Sequence, residues 1–314
     1  RKPCRAQPRR ISLGAPHPGM PSLRNVLTAL ALVPFISGEA ALSAPAPSPQ
    51  AFRQEVALHH EPPAGLPRGA IGEVSTSDDG SARVRFNDDW YSRRDGRWEP
   101  ASVPARAAEA PPLPAGTRLA QLAVSKSGEN IAATNRGLLR LGANGWESVI
   151  VSDGLGRRWA VEDVAGAVFD SAGQLWFATK AGAGVKTPSG WRFFEGKDGL
   201  PWNEFTALAA GLDGEVWFGT TIGAIRWDGA DFHYRQGPRW LPHDHVRGLT
   251  VDRDGTAWFA TESGLGGIAR REMTLAAKAE FYEAEIERHI KRTPYGYVAE
   301  APLRVPGVRA SAGR

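Results

Sequence analysis

The chain has 314 residues, 38 basic and 34 acidic, a formal net charge of +4 and a single cysteine, Cys4. Six of the basic residues and one acidic residue precede Ala44, so the rest carries about −1 and offers no basic footprint for nucleic acid. With the only thiol at the extreme N-terminus, a disulfide framework and a Cys/His zinc site are excluded from the remainder of the chain.

Residues 1–19 are basic and proline-rich and do not begin with Met; they read as an upstream translated stretch or a mis-assigned start. Met20 opens a three-part pattern: Arg24, an apolar run from Val26 to Ile36, then small residues with cleavage after Ala40 or Ser43. Residues 20–43 are therefore expected to be a secretory signal, too short in its apolar run to span a bilayer, and no further membrane span is expected. No cysteine near the cleavage region supports a lipid anchor. A proline-rich linker is expected over 44–64.

From 65 to 272 one phrase returns five times. Its clearest copies are Leu175-Trp176-Phe177-Ala178-Thr179, Val216-Trp217-Phe218-Gly219-Thr220 and Ala257-Trp258-Phe259-Ala260-Thr261, spaced by 41 residues, each behind a turn glycine. A fourth copy ends at Thr134, and an eroded fifth follows Asp79-Gly80, with Ile131 and Phe86 near the tryptophan place. Leucine-centred turns run in phase at Leu66, Leu113, Leu155, Leu200 and Leu241. Repeats of this length, made of β-branched and aromatic runs punctuated by Asp-Gly turns, predict an all-β propeller of about five four-stranded blades. One blade is read as strands Phe205–Leu212, Val216–Thr220, Ala224–Trp227 and Phe232–Arg235. Trp176, Trp217 and Trp258 are expected to pack each blade on the next. Five blades close a ring only if Ala51–His60 lends a strand to the last; otherwise the propeller is incomplete, with an open sheet edge.

Residues 273–314 change character. Leu275, Ala279, Tyr282, Ile286 and Ile290 recur at helical spacing up to Pro294, and Glu287 and Lys291 stand four apart. An amphipathic helix is expected, followed by a strand over Tyr295–Val305 that begins a second domain or forms a tail.

The phrase Asp-Gly-Leu-Pro, a spacer, Asp-x-Asp-Gly and Trp-Phe-Gly-Thr resembles the two-component regulator propeller repeat of exported bacterial sensing proteins. The resemblance implies a periplasmic or extracellular propeller that senses or binds a ligand. The last copy, through Glu262, Gly267 and Ile268, is also similar to virginiamycin B lyase repeats, which keeps a propeller lyase as an alternative. A scaffold for a downstream catalytic domain is the third reading.

Within the chain no phosphate loop, nucleophile elbow or metalloprotease helix motif occurs, and no cofactor or metal is expected. His59-His60 reads as a solvated pair. Loop positions just after the leucine turns do not repeat, and in a propeller such positions converge on one rim. They supply Arg158 and Trp159, then Trp202, Asn203 and Glu204, then His243, His245 and Arg247. Flat apolar faces among hydrogen-bonding groups suit a polar ligand such as a glycan. Expected partners are that ligand and a downstream domain of the same protein.

Overall fold

The computed structural model describes residues 50–60, 66, 71–104 and 112–292, except the side chains of 59, 60 and 285–292. The signal segment, the His59-His60 side chains, Pro294 and the strand expected over Tyr295–Val305 lie outside what is described.

The architecture is all-β, with five four-stranded antiparallel sheets. Strand β1 (Phe52–His60) comes first. Blade 1 is β2 (Ile71–Thr76), β3 (Ala82–Phe86), β4 (Asp89–Arg94) and β5 (Arg97–Ala101). Blade 2 is β6 (Leu119–Val124), β7 (Asn130–Thr134), β8 (Gly137–Gly142) and β9 (Gly145–Ser148), followed by a small hairpin, β10 (Val151–Ser152) and β11 (Arg158–Trp159). Blade 3 is β12 (Gly166–Phe169), β13 (Leu175–Thr179), β14 (Gly182–Thr187) and β15 (Gly190–Phe194). Blade 4 is β16 (Phe205–Ala210), β17 (Val216–Thr220), β18 (Gly223–Trp227) and β19 (Phe232–Arg235). Blade 5 is β20 (Val246–Val251), β21 (Ala257–Thr261), β22 (Leu265–Met273) and, as its outer strand, β1. β1 pairs antiparallel along β22 from Phe52 opposite Met273 to His60 opposite Leu265. Residues 52–60 thus lend the strand that the last repeat lacks.

The repeated residues have repeated jobs. In two of the three clear copies an aspartate caps the first turn and holds the tryptophan six residues on. Asp170 accepts from the amides of Ala172 and Gln174 and from Trp176 Nε1 at 2.9 Å. Asp252 does the same with Asp254, Thr256 and Trp258 Nε1. Blade 4 has Gly211 at that place, and Trp217 Nε1 is buried with no partner among the described residues. Because Asp252 is 4 % exposed, Asp252→Ala strands several buried donors and is expected to cost about 3 kcal/mol, read by urea denaturation. The closing threonine caps the next turn: Thr134, Thr179, Thr220 and Thr261 each donate to the carbonyl of the glycine three residues on. At Gly223 φ is +154°, and an added Cβ would sit 2.6 Å from the Arg235 carbonyl oxygen, so only glycine fits.

Apolar cores fill the junctions between blades. Trp176 meets Phe218 and Trp227 from blade 3 to blade 4, and Trp217 meets Phe259 from blade 4 to blade 5. Trp258 meets Trp98 edge-on at 5.2 Å from blade 5 to blade 1. Blade 2 joins blade 3 through Ile131, Leu138, Trp159 and Phe177. Among the described residues no such core joins blade 1 to blade 2. The reason is a corrected register: Arg83, not Phe86, stands where other blades have tryptophan, since β3 pairs Thr76 with Ala82 as β20 pairs Val251 with Ala257. Its neighbours Ala82 and Val84 face blade 5, so by strand alternation Arg83 faces away from it. Leu119 and Val124 on the inner strand of blade 2 stay exposed at 47 % and 57 %.

Helix α1 (Leu275–Arg292) follows β22 directly. Thr274 caps it, its Oγ1 accepting from the Ala277 amide, and Phe281 packs against the core shared by blades 5 and 1.

Candidate functional site

The turns closed by the framework threonines and the loops that lead into the inner strands meet along one rim. Thr221 N donates to the Glu204 carbonyl, and Asn135 N to that of Arg118, so each inner-strand entry is pinned to the neighbouring turn. These two sets of positions carry the residues that differ from blade to blade.

Between blades 3 and 4 the rim opens into a cavity of about 540 Å³ lined by Asp163, Lys180, Asn203, Glu204, Phe205 and Thr221, with Ala165 and Thr179 below. Its polar groups are held by a short relay. Trp202 Nε1 donates to Thr221 Oγ1 at 3.3 Å, and Thr221 Oγ1 donates to Glu204 Oε2 at 2.8 Å. Asn203 Nδ2 donates to the Lys180 carbonyl at 2.6 Å. Asp163 has a left-handed backbone, φ +43°, a conformation a short polar side chain tolerates.

Of the expected rim residues, Asn203 and Glu204 therefore line the cavity. Trp202 stands behind it, half-buried against the core of blades 3 and 4, and orients Thr221 rather than offering an open face. Trp159 requires a correction. It is 3 % exposed, stacks on Phe193 at 4.5 Å and donates from Nε1 to Asp153, so it is core and no ligand platform. The leucine phase misled there: Leu155 is 80 % exposed, and Trp159 fills the space between the blades instead. Arg158 is exposed on β11.

His243, His245 and Arg247 gather at blade 5 on a carboxylate the loop comparison passed over. Glu262 lies 3.8 Å from His243 Nε2, 3.1 Å from His245 Nδ1 and 3.3 Å from Arg247 Nη2. The hydrogen bond from Arg247 holds the Glu262 carboxyl below its usual range, against partial desolvation and with help from both histidines. This cluster is satisfied within itself. Among the described residues no group of His, Cys, Asp and Glu is arranged to hold a metal ion.

Glu262, Thr221, Lys180 and Asn135 are the residues sequence reasoning missed. Each directly follows a framework threonine and differs between copies, the same signal that marked the other rim positions.

Next to Trp159, Asp153 shows how the hairpin is tuned. Burial pushes its carboxyl up, but hydrogen bonds from Trp159, Arg157 and the amides of Arg157 and Leu155 outweigh it and hold the pKa at about 2. The stabilisation from a depressed carboxyl is full above its ordinary value of 3.8 and is lost as the pH falls through about 2. Thermal melts between pH 5 and 2 should fall more steeply for the wild type than for Asp153→Asn.

Fold and rim together define a β-propeller with a polar cavity between two blades. No family model matches the chain, and no curated protein matches it. Similar solved structures include the extracellular domain of a putative hybrid two component system from B. thetaiotaomicron, 16 % identical with a TM-score of 0.41, covering 63 % of this chain and 27 % of that one. Virginiamycin B lyase from Staphylococcus aureus is 14 % identical with a TM-score of 0.32, covering 69 % of this chain and 99 % of that one. The chain thus spans about a quarter of the length of the regulator domain it resembles, and the roles of its residues rest on its own geometry.

Proposed function

We propose that this chain is an exported, non-catalytic propeller module whose rim cavity between blades 3 and 4 binds a polar ligand of the carbohydrate class. Export rests on the signal-like segment from Met20 and on the repeat's resemblance to exported sensing propellers. The observation that carries the binding reading is the cavity itself. A volume of about 540 Å³ is bounded by residues that vary between blades while the framework around them repeats. Repeats hold the scaffold constant, and here residues that vary between blades meet around a concave place that a ligand can enter. Part of that lining is polar side chains already held by a backbone carbonyl, an indole N–H and a hydroxyl, which lowers the ordering cost of binding.

The test is a glycan-array screen of the protein with Asn203→Ala and Glu204→Ala alongside. A specific hit lost in both variants, at unchanged melting temperature, supports the module. Hits that survive both substitutions would place recognition elsewhere, and a blank array would remove the carbohydrate class.

A further inference from the structure

We infer that the cavity between blades 3 and 4 selects a ligand carrying a free primary ammonium group, of the amino-sugar class; this rests on the carbohydrate-binding reading above. Hydrogen bonds already made inside the cavity decide which polar atoms remain for a ligand. Glu204 accepts from Thr221 through Oε2, and no partner of Oε1 occurs among the described residues. Asn203 gives one Nδ2 hydrogen to the Lys180 carbonyl, which leaves its second N–H and its Oδ1 acceptor. Asp163 has no side-chain partner among the described residues and brings a second carboxylate. Thr221 spends its hydroxyl hydrogen on Glu204, and Thr179 spends its own on the Gly182 carbonyl.

What remains is two carboxylates and an amide oxygen, against the Lys180 ammonium and the second Asn203 N–H, a lining with one more negative than positive charge. A neutral sugar hydroxyl can use any of these, as donor or acceptor. A positively charged donor matches the net charge of the lining as well. An ammonium on a pyranose ring meets that demand. N-acetylation removes the charge and the extra donors, so the acetylated sugar should lose the advantage.

Calorimetric titration of the full chain with three probes of equal length tests this: glucosamine oligomers with free amines, their N-acetylated counterparts, and neutral glucose oligomers. The free-amine oligomer should bind about tenfold tighter than either of the others, the worth of one charge-assisted hydrogen bond. Glu204→Gln should weaken the free-amine oligomer several-fold more than the neutral one, erasing most of that preference, while the thermal melt stays unchanged. Lys180→Ala, which removes the competing cation, should sharpen the preference. Equal affinity for all three probes, or a preference untouched by Glu204→Gln, overturns amine selection while the binding module stands. Absence of binding by all three, together with a blank glycan array, overturns both.

Discussion

Arg226→Ala is expected to destabilise the propeller by about 4 kcal/mol. Arg226 on β18 has a side chain only 8 % exposed and reaches two carboxylates on other strands. Its Nε donates to Glu55 on β1 at 2.6 Å, and its Nη1 to Glu215 at 2.9 Å. Arg235 also pairs with Glu55, and Arg270 with Glu215, so five charges stitch blade 4 to the outer strands of blade 5. Burial pushes the Glu215 carboxyl up even though Arg226 and Arg270 pull it back, so desolvation outweighs pairing for this group. Such a network stabilises little while intact but is costly to break, because removing the central cation leaves two buried carboxylates facing each other. A urea denaturation series should show the loss. Arg270→Ala, at a more exposed end, should cost clearly less.

Trp258→Ala is expected to cost about 4 kcal/mol, in the range of large core truncations. The indole is 2 % exposed, meets Trp98 edge-on and lies under the Arg93 guanidinium at 4.8 Å. It also satisfies Asp252, so the substitution both opens a cavity and frees a buried carboxylate oxygen. The junction it fills is the one that β1 and β22 complete, and loss there should release the N-terminal strand as well. Limited proteolysis reports that release as new cleavage between residues 50 and 70. A variant that loses less than 1 kcal/mol would contradict the view that these tryptophans join the blades.

Much of the fold was legible because a propeller states its plan five times. Each expected strand of blade 4 lies within two residues of its place, and the expected helix is found from Leu275. Completion of blade 5 by residues 52–60 was readable only as a condition, since β1 shares no phrase with the repeats and finds its partner more than 200 residues away. Blade 1 was misread at Phe86, where erosion had removed the tryptophan that fixes register.

At the rim, sequence comparison picked out loops but not which of their side chains point into space. Trp159 and Trp202 looked alike as aromatic loop residues, yet packing draws the first into the core and the second behind Thr221. The cavity joins positions from two kinds of turn, and only the turn that follows a leucine was compared. Lys180 and Glu262 sit on the other kind. The blade 5 histidines were expected at the rim, and the carboxylate that gathers them comes from that same overlooked position.

The central claim, that recognition takes place between blades 3 and 4, is tested most directly by hydrogen–deuterium exchange with and without a saturating array-selected oligosaccharide. Protection confined to the backbone around residues 179–181, 202–205 and 221–222 is the predicted result. Protection at the blade 5 rim around 243–247, or no change on the rim at all, would contradict it.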